Sequence, residues 1–301
     1  MIGRPLELAD AAALRPFFDA QRYPLAAYSL LSIMAWRRAD GFEVSYTVDD
    51  GRLVIAAESA EGRHLGLPIG GRAPTVAELR VLSERLGVRE YWYVPGDLLE
   101  ALPGDELRAA FDVRERPEWG EYVFRAEDLA ELKGRRLAAK RNLIHQFEKE
   151  YVEPGRAAAG PIRPGDVGEC VAFLEAWCEE RGCDPAAQDP LACERRAAQT
   201  ALGEMHALGV EGVTIRVDGR VVGFGIGCRV MDGLAALHFE KASASVKGLY
   251  QYLDRECARR LFQGRYERVT KEGDMGLPGL ARSKQSYGPL SKTAAFSLSL
   301  R

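Results

Sequence analysis

The sequence predicts an α/β protein of two similarly built halves, and three observations predict it. Strand-like and helix-like segments alternate along all 301 residues, the pattern of sheets flanked by helices. Two tight hairpin turns, Asp49-Asp50-Gly51 and Asp218-Gly219, sit inside the sequence echo TVDDGRLVI and RVDGRVVGF. A long amphipathic stretch at 246–263 separates two strand-like segments, and a crossover of that length makes its strands parallel neighbours.

The elements follow in order. The first half reads as helices at 8–21 and 25–38, then a hairpin of 43–48 with 52–57. A strand near 64–68, a helix at 75–86 and a strand at 90–94 complete it. The second half repeats the plan, with helices at 166–181 and 190–207 and a hairpin of 212–217 with 220–228. Strand 234–242, helix 246–263, strand 268–274, helix 276–287 and a last strand near 295–300 follow. The Pro-, Gly- and Ala-rich run EPGRAAAGPIRPGD at 153–166 marks the junction, so domains are expected at 1–155 and 160–301.

Composition narrows the function classes. With 47% hydrophobic residues the chain can bury a large core, and a net charge of −3 gives no global field toward nucleic acid or anionic lipid. Residues 23–36 are apolar-rich, but Pro24, Ser29 and Ser32 interrupt them, short of the ~18–20 apolar residues of a membrane span. No secretory signal is visible, and a cytoplasmic location is expected. Cys170, Cys178, Cys183, Cys193, Cys228 and Cys257 form no C-x-x-C pair. They read as reduced, structural thiols rather than metal ligands or nucleophiles. No metal site is expected, because the four histidines show no ligand spacing.

Chemistry concentrates where the parallel strands end. Glu240, Glu272 and Asp274 fall there, and the last two share a face if the strand persists that far. Clustered carboxylates repel one another, which raises a pKa toward that of a general base. They can equally hold an ammonium group or satisfy backbone donors at the strand ends. His238 shares strand parity with Glu240 and can line the same site, or be a hydrogen-bonded core histidine. Lys241 and Lys271 flank the carboxylates, as oxyanion contacts or as plain ion pairs. A basic segment carries Lys133, Arg135, Arg136, Lys140 and Arg141 with no acid between Lys133 and Phe147, either an anion-binding patch or a solvated face. The aromatic run Tyr91-Trp92-Tyr93 reads as core.

Three blocks carry a family resemblance: YSLLSIMAWRRADGFEVSYTVDDGRLVI at 28–55, LKGRRLAAKRNLIHQFEKEY at 132–151, and HFEKA with its KG-x-YQ helix start and KEGDMGLPGL-x-x-SK-x-SY at 238–287. Together they resemble the standalone bacterial family related to the C-terminal catalytic domain of phosphatidylglycerol lysyltransferases. The resemblance implies two tandem acetyltransferase-like (GNAT) folds, mixed sheets flanked by helices. It implies an aminoacyltransferase with aminoacyl-tRNA as donor, no bound cofactor, and a lipid headgroup or small-molecule acceptor bearing a hydroxyl or amine. Lys247, Gly248, Tyr250, Gln251 and Lys284 stand in the matching motifs and become candidate substrate contacts, and the basic segment a candidate RNA contact. Acyl-CoA is the alternative donor. Ordinary acetyltransferases hold the CoA pyrophosphate on a Q/R-x-x-G-x-G/A loop. The aligned loop keeps Gly248 but has Ser245 at its start and Tyr250 at its end. A non-catalytic ligand sensor is the third reading.

Overall fold

The computed structural model describes residues 2–39, 41–59, 62–182 and 190–301. Its strands are β1 (Arg4–Pro5), β2 (Glu43–Asp49), β3 (Arg52–Ser59), β4 (Gly62–Leu65), β5 (Glu90–Pro95), β6 (Phe111–Glu115) and β7 (Glu121–Arg125). They continue with β8 (Ala157–Pro161), β9 (Glu211–Val217), β10 (Arg220–Met231), β11 (Leu234–Ala242), β12 (Arg268–Thr270), β13 (Ser291–Thr293) and β14 (Ala295–Leu300). They form two seven-stranded sheets, ordered β1-β2-β3-β4-β5-β14-β6 and β13-β7-β12-β11-β10-β9-β8.

Both predicted hairpins close through two-residue loops, Asp50-Gly51 and Asp218-Gly219. Each loop residue has positive φ, from 47° to 80°, the backbone that suits the strands' right-handed twist and selects Asp-Gly. Each sheet holds one parallel pair among the described residues: β4 with β5 and β11 with β12, bridged by helices Val76–Leu86 and Leu249–Cys257. The duplicated order of elements is therefore present in three dimensions.

The halves are interlocked. Strand β7, from the first half, lies between β12 and β13, whereas β14, at the chain's end, lies between β5 and β6. The basic helix (Ala138–Phe147) packs Ile144 and Phe147 into the second sheet's core, with the Phe147 ring 4.6 Å from Tyr252. The break expected between residues 155 and 160 thus does not divide the sheets. Within that stretch, β8 pairs antiparallel with β9. Its Ala-rich sequence has little strand propensity, but an edge strand pairs on one side and tolerates Pro161.

Two main clusters of buried side chains result. One spans both halves, joining Leu31 and Met34 to Trp177, Phe224 and Phe239. The other lies under helix Leu249–Cys257 and takes Leu237 and Ala242 from the same strand as Phe239. Strand β11 is therefore covered on both faces.

Candidate active site at the strand fork

Pairing between β11 and β12 stops at Ala236 with Thr270. β11 runs on to Ala242, while the chain beyond Thr270 follows β7: Lys271 N donates to Tyr122 O at 3.0 Å and Tyr122 N to Glu272 O at 3.2 Å. Glu272 then turns through φ 58°, a left-handed conformation uncommon for a side-chain-bearing residue. Beyond the fork the Glu272 carbonyl keeps its bond to β7, and a second donor reaches the carbonyls there. Lys284, on helix Pro278–Ser286, supplies the donor and places Nζ among the carbonyl oxygens of Lys271, Glu272 and Gly273.

A β-bulge decides which side chains meet. Ile226 faces Phe239 but Gly227 faces Leu237, so His238 is an extra residue on β11. One extra residue reverses the alternation of faces. The expected sharing of a face by His238 and Glu240 is overturned: the two point to opposite sides of the strand, into different clusters.

On the helix side, Lys271 Nζ lies 3.0 Å from Glu240 and 2.7 Å from Asp254. Burial pushes Glu240 up to about 7; Lys271 opposes that shift and Asp254 adds to it. Burial would discharge Lys271, but Asp254 and Glu240 outweigh it and hold the ammonium charged. The Tyr287 ring has two cations near its face, Lys271 at 5.1 Å and Lys140 at 4.2 Å from its centroid. Lys284 is lowered to about 8 by burial, against the pull of Glu272.

On the opposite face, His238 Nδ1 lies 2.7 Å from Glu272 Oε1. Its Nε2 lies 3.0 Å from Ser29 Oγ and 3.2 Å from Cys228 Sγ. Burial alone would lower the imidazole, but Cys228 and Glu272 raise it to about 10. Next to them Glu121 is buried, accepting from Ala26 N and Thr270 Oγ1, both at 2.7 Å. Burial, then the Glu272 charge, pushes Glu121 up to about 8.

The three carboxylates singled out in the sequence do not form one cluster. Strand β12 ends before Glu272, so the alternation that would align Glu272 with Asp274 is lost. Asp274 accepts from Tyr122 OH at 2.7 Å, Lys292 at 3.0 Å and Gly276 N at 3.0 Å, fixing the following turn. Lys241 faces away from Glu240, pairing with Glu194 at 2.8 Å over the Trp177 ring. Tyr250 is tied by its hydroxyl to Trp177 Nε1 at 3.1 Å, Lys247 is exposed and Gln251 half-buried. Gly248 has φ 80° and packs so closely on the basic helix that a Cβ there would lie 2.1 Å from Leu143 O.

The basic segment is partly engaged within the chain. Lys133 pairs with Glu131, Arg136 donates to Gln285 O, and Arg141 donates to the carbonyls of Leu132 and Gly134. Lys140 turns inward over Tyr287, and Arg135 is exposed. Tyr91 is core as expected, whereas Trp92 and Tyr93 are half-buried against Trp119. Sequence reasoning missed Asp254, Glu121, Ser29 and Cys228. Asp254 left a trace: a carboxylate between Leu253 and Cys257 on a buried helix stripe needs a cation. Among the described residues no group of three or more His, Cys, Asp or Glu is placed to hold a metal, and no helix is long and apolar enough to cross a membrane.

Comparison with known proteins decides the family. The sequence profile of the C-terminal region of phosphatidylglycerol lysyltransferase matches residues 22–296. The chain belongs to that family. A conserved protein of unknown function from Bacteroides thetaiotaomicron aligns over 100% of both chains, at 28% identity and a TM-score of 0.88. The C-terminal domain of a putative lysylphosphatidylglycerol synthetase from Agrobacterium fabrum aligns at 14% identity and a TM-score of 0.66, over 97% of this chain and 92% of its own. A tandem GNAT protein of the clavulanic acid biosynthesis pathway aligns at 11% identity and a TM-score of 0.47, over 99% of this chain and 97% of its own. No curated protein matches the chain. The fold is α/β, two mixed sheets flanked by helices, and the family points to a transferase.

Proposed function

We propose that this phosphatidylglycerol lysyltransferase-like protein is an aminoacyltransferase. It takes an amino acid from aminoacyl-tRNA and passes it to a hydroxyl or amine at the β11/β12 fork. The observation that carries this reading is the packing of Gly248 against Leu143 O. Acyl-CoA enzymes use the amides at this helix start for the pyrophosphate, and here the chain's own basic helix lies over it. A charged tRNA needs no such cradle, because its ester is already activated and its phosphates can be met elsewhere, by Lys133 and Arg135 on the exposed surface.

Glu240 is the base in this scheme. A carboxyl pushed up to about 7 is poised to take a proton at neutral pH, a contribution of ~10²–10⁴ in rate. The acceptor's oxygen or nitrogen attacks the ester carbonyl, the bond to the ribose oxygen breaks, and that oxygen leaves with a proton. Lys271 and Lys284 supply positive charge beside the developing oxyanion. Glu272 and Asp274 serve His238 and the 274–276 turn instead of the reaction. A lipid headgroup acceptor agrees with the description of the Agrobacterium fabrum relative.

The test is transfer of label from a mixed aminoacyl-tRNA pool into RNase-resistant product, with lipid and soluble extracts offered separately. Label in one fraction identifies the acceptor class. No transfer from intact charged tRNA, together with thermal protection by acyl-CoA, refutes the reading in favour of a CoA enzyme. Tight binding of one small ligand without turnover refutes it in favour of a sensor.

A further inference from the structure

Cys228 is the chemically loaded residue that the fork reaction leaves unused. Of the four cysteines whose side chains are described, Cys170, Cys178 and Cys257 are buried, whereas Cys228 is partly exposed. Its sulfur, the His238 ring and the Glu272 carboxylate stand in line, with contacts of 3.2 Å and 2.7 Å to opposite ring nitrogens. Cys228 also lines a cavity of about 180 Å³ between helix Ala11–Asp19, residues 208–211 and β10. Phe18, Leu30, Leu31 and Phe262 give that cavity an apolar wall, and Arg15, Asp19, Glu211, Arg229 and Arg265 make the rest of it charged.

We infer that Cys228 is the nucleophile of a second, thiol-based site, with His238 as its base and Glu272 orienting the ring, and that it accepts the acyl group of small activated esters. Nucleophile, base and orienting group within hydrogen-bond reach are the requirement for such chemistry. In the step, His238 Nε2 holds the thiol proton while Sγ bonds to the acyl carbon. The ester C–O bond breaks, and the leaving oxygen takes the proton from Nε2, giving a thioester and an alcohol. A cavity of ~150 Å³ lined by apolar side chains accommodates benzene, so the space here fits an acyl group of a few carbons.

Ser29 also reaches Nε2, but it is 1% exposed and its oxygen already accepts from Ser32 N as a helix cap. Both residues line the cavity, and the thiol is the less buried of the two and the more nucleophilic. Other ionisable groups around this triad are Glu121 from β7, Arg229 on β10, and Glu211, Arg265 and Tyr266 across the cavity. The inference involves neither Glu240 nor RNA, and so stands apart from the aminoacyl-tRNA reading.

The test uses the full chain with p-nitrophenyl butyrate and no tRNA. One equivalent of p-nitrophenolate should appear in a burst, with the butyryl mass on the Cys228 peptide. His238→Gln should slow that burst about 100-fold, and Cys228→Ser should abolish it. A variant-free measurement accompanies this: brief iodoacetamide treatment of the wild-type chain should abolish the burst in proportion to alkylation of the Cys228 peptide. Butyrylation spread over other cysteines, or a burst that survives full alkylation of Cys228, overturns the inference.

Discussion

The parallel pairs of the two sheets occupy matching places, and each puts a buried histidine on the strand before its crossover helix. His64, on β4, stacks on Trp92 at 3.7 Å, and its Nδ1 has no hydrogen-bond partner. Burial drives it down to about 4. His238, on β11, is as buried but stands between Glu272 and Cys228 and rises to about 10. Burial by itself discharges an imidazole; a carboxylate and a thiol at its two nitrogens reverse the outcome. The duplication therefore kept one scaffold and two chemistries. The first pair is aromatic and its helix starts on a Thr75–Glu78 capping box, while the second is charged and starts at a glycine packed on a neighbouring helix.

The interlocking can be broken outright. Cutting the chain between residues 155 and 160 removes an interior strand from each sheet, β7 from the second and β14 from the first. Neither fragment should give a cooperative unfolding transition alone. A folded first fragment would show that the strand exchange is dispensable.

The next effect is at the buried ion pair. Lys271→Met leaves Glu240 and Asp254 without their cation, and breaking such a pair costs ~3–5 kcal/mol. Urea denaturation should register that loss. Lys284→Met removes the donor to the fork's carbonyls and should cost ~1–3 kcal/mol. A loss within ~0.5 kcal/mol would mean that the carbonyls find other donors.

The histidine contrast sharpens with pH. His64 has its value lowered, so its contribution is present above about 6.5 and lost as pH falls through about 4. His238 has its value raised, so its contribution is present below about 6.5 and lost as pH rises through about 10. Glu121 is likewise raised, its contribution present below about 4.5 and lost as pH rises through about 8. Melting temperatures measured from pH 4 to 9 should show His64→Phe flattening the acid limb and Glu121→Gln the alkaline one. The reverse assignment would contradict the comparison. The smallest effect on stability belongs to the surface: Lys133→Glu with Arg135→Glu should leave folding within ~0.5 kcal/mol. The same double variant should reduce the salt slope of tRNA binding by ~2.

How much of this was legible follows from which interactions are local. Asp-Gly turns, amphipathic helices and the crossover are written in consecutive residues, and the duplicated order could be read from them. Strand β7 was not read from EYVFR at all, and the destination of β14 could not be, because AFSLSL specifies a strand but not its partner. At the site, Glu240, Lys271 and Lys284 were legible from their motifs. The separation of His238 from Glu240 was hidden, since a one-residue bulge leaves no mark in HFEK yet reverses every face beyond it. Ser29, Glu121 and Cys228 reach the site from other strands and helices, a contact set by tertiary packing alone.

The most direct test of the account is the rate of aminoacyl transfer by Glu240→Gln against the wild-type chain, across pH 5–9, with equal folded fractions verified by circular dichroism. A base with a value near 7 should give a wild-type rate that rises through that pH, and Gln should lower the plateau by ~10²–10⁴. Transfer at the wild-type rate with Gln in place would remove Glu240 from the reaction and contradict the central claim.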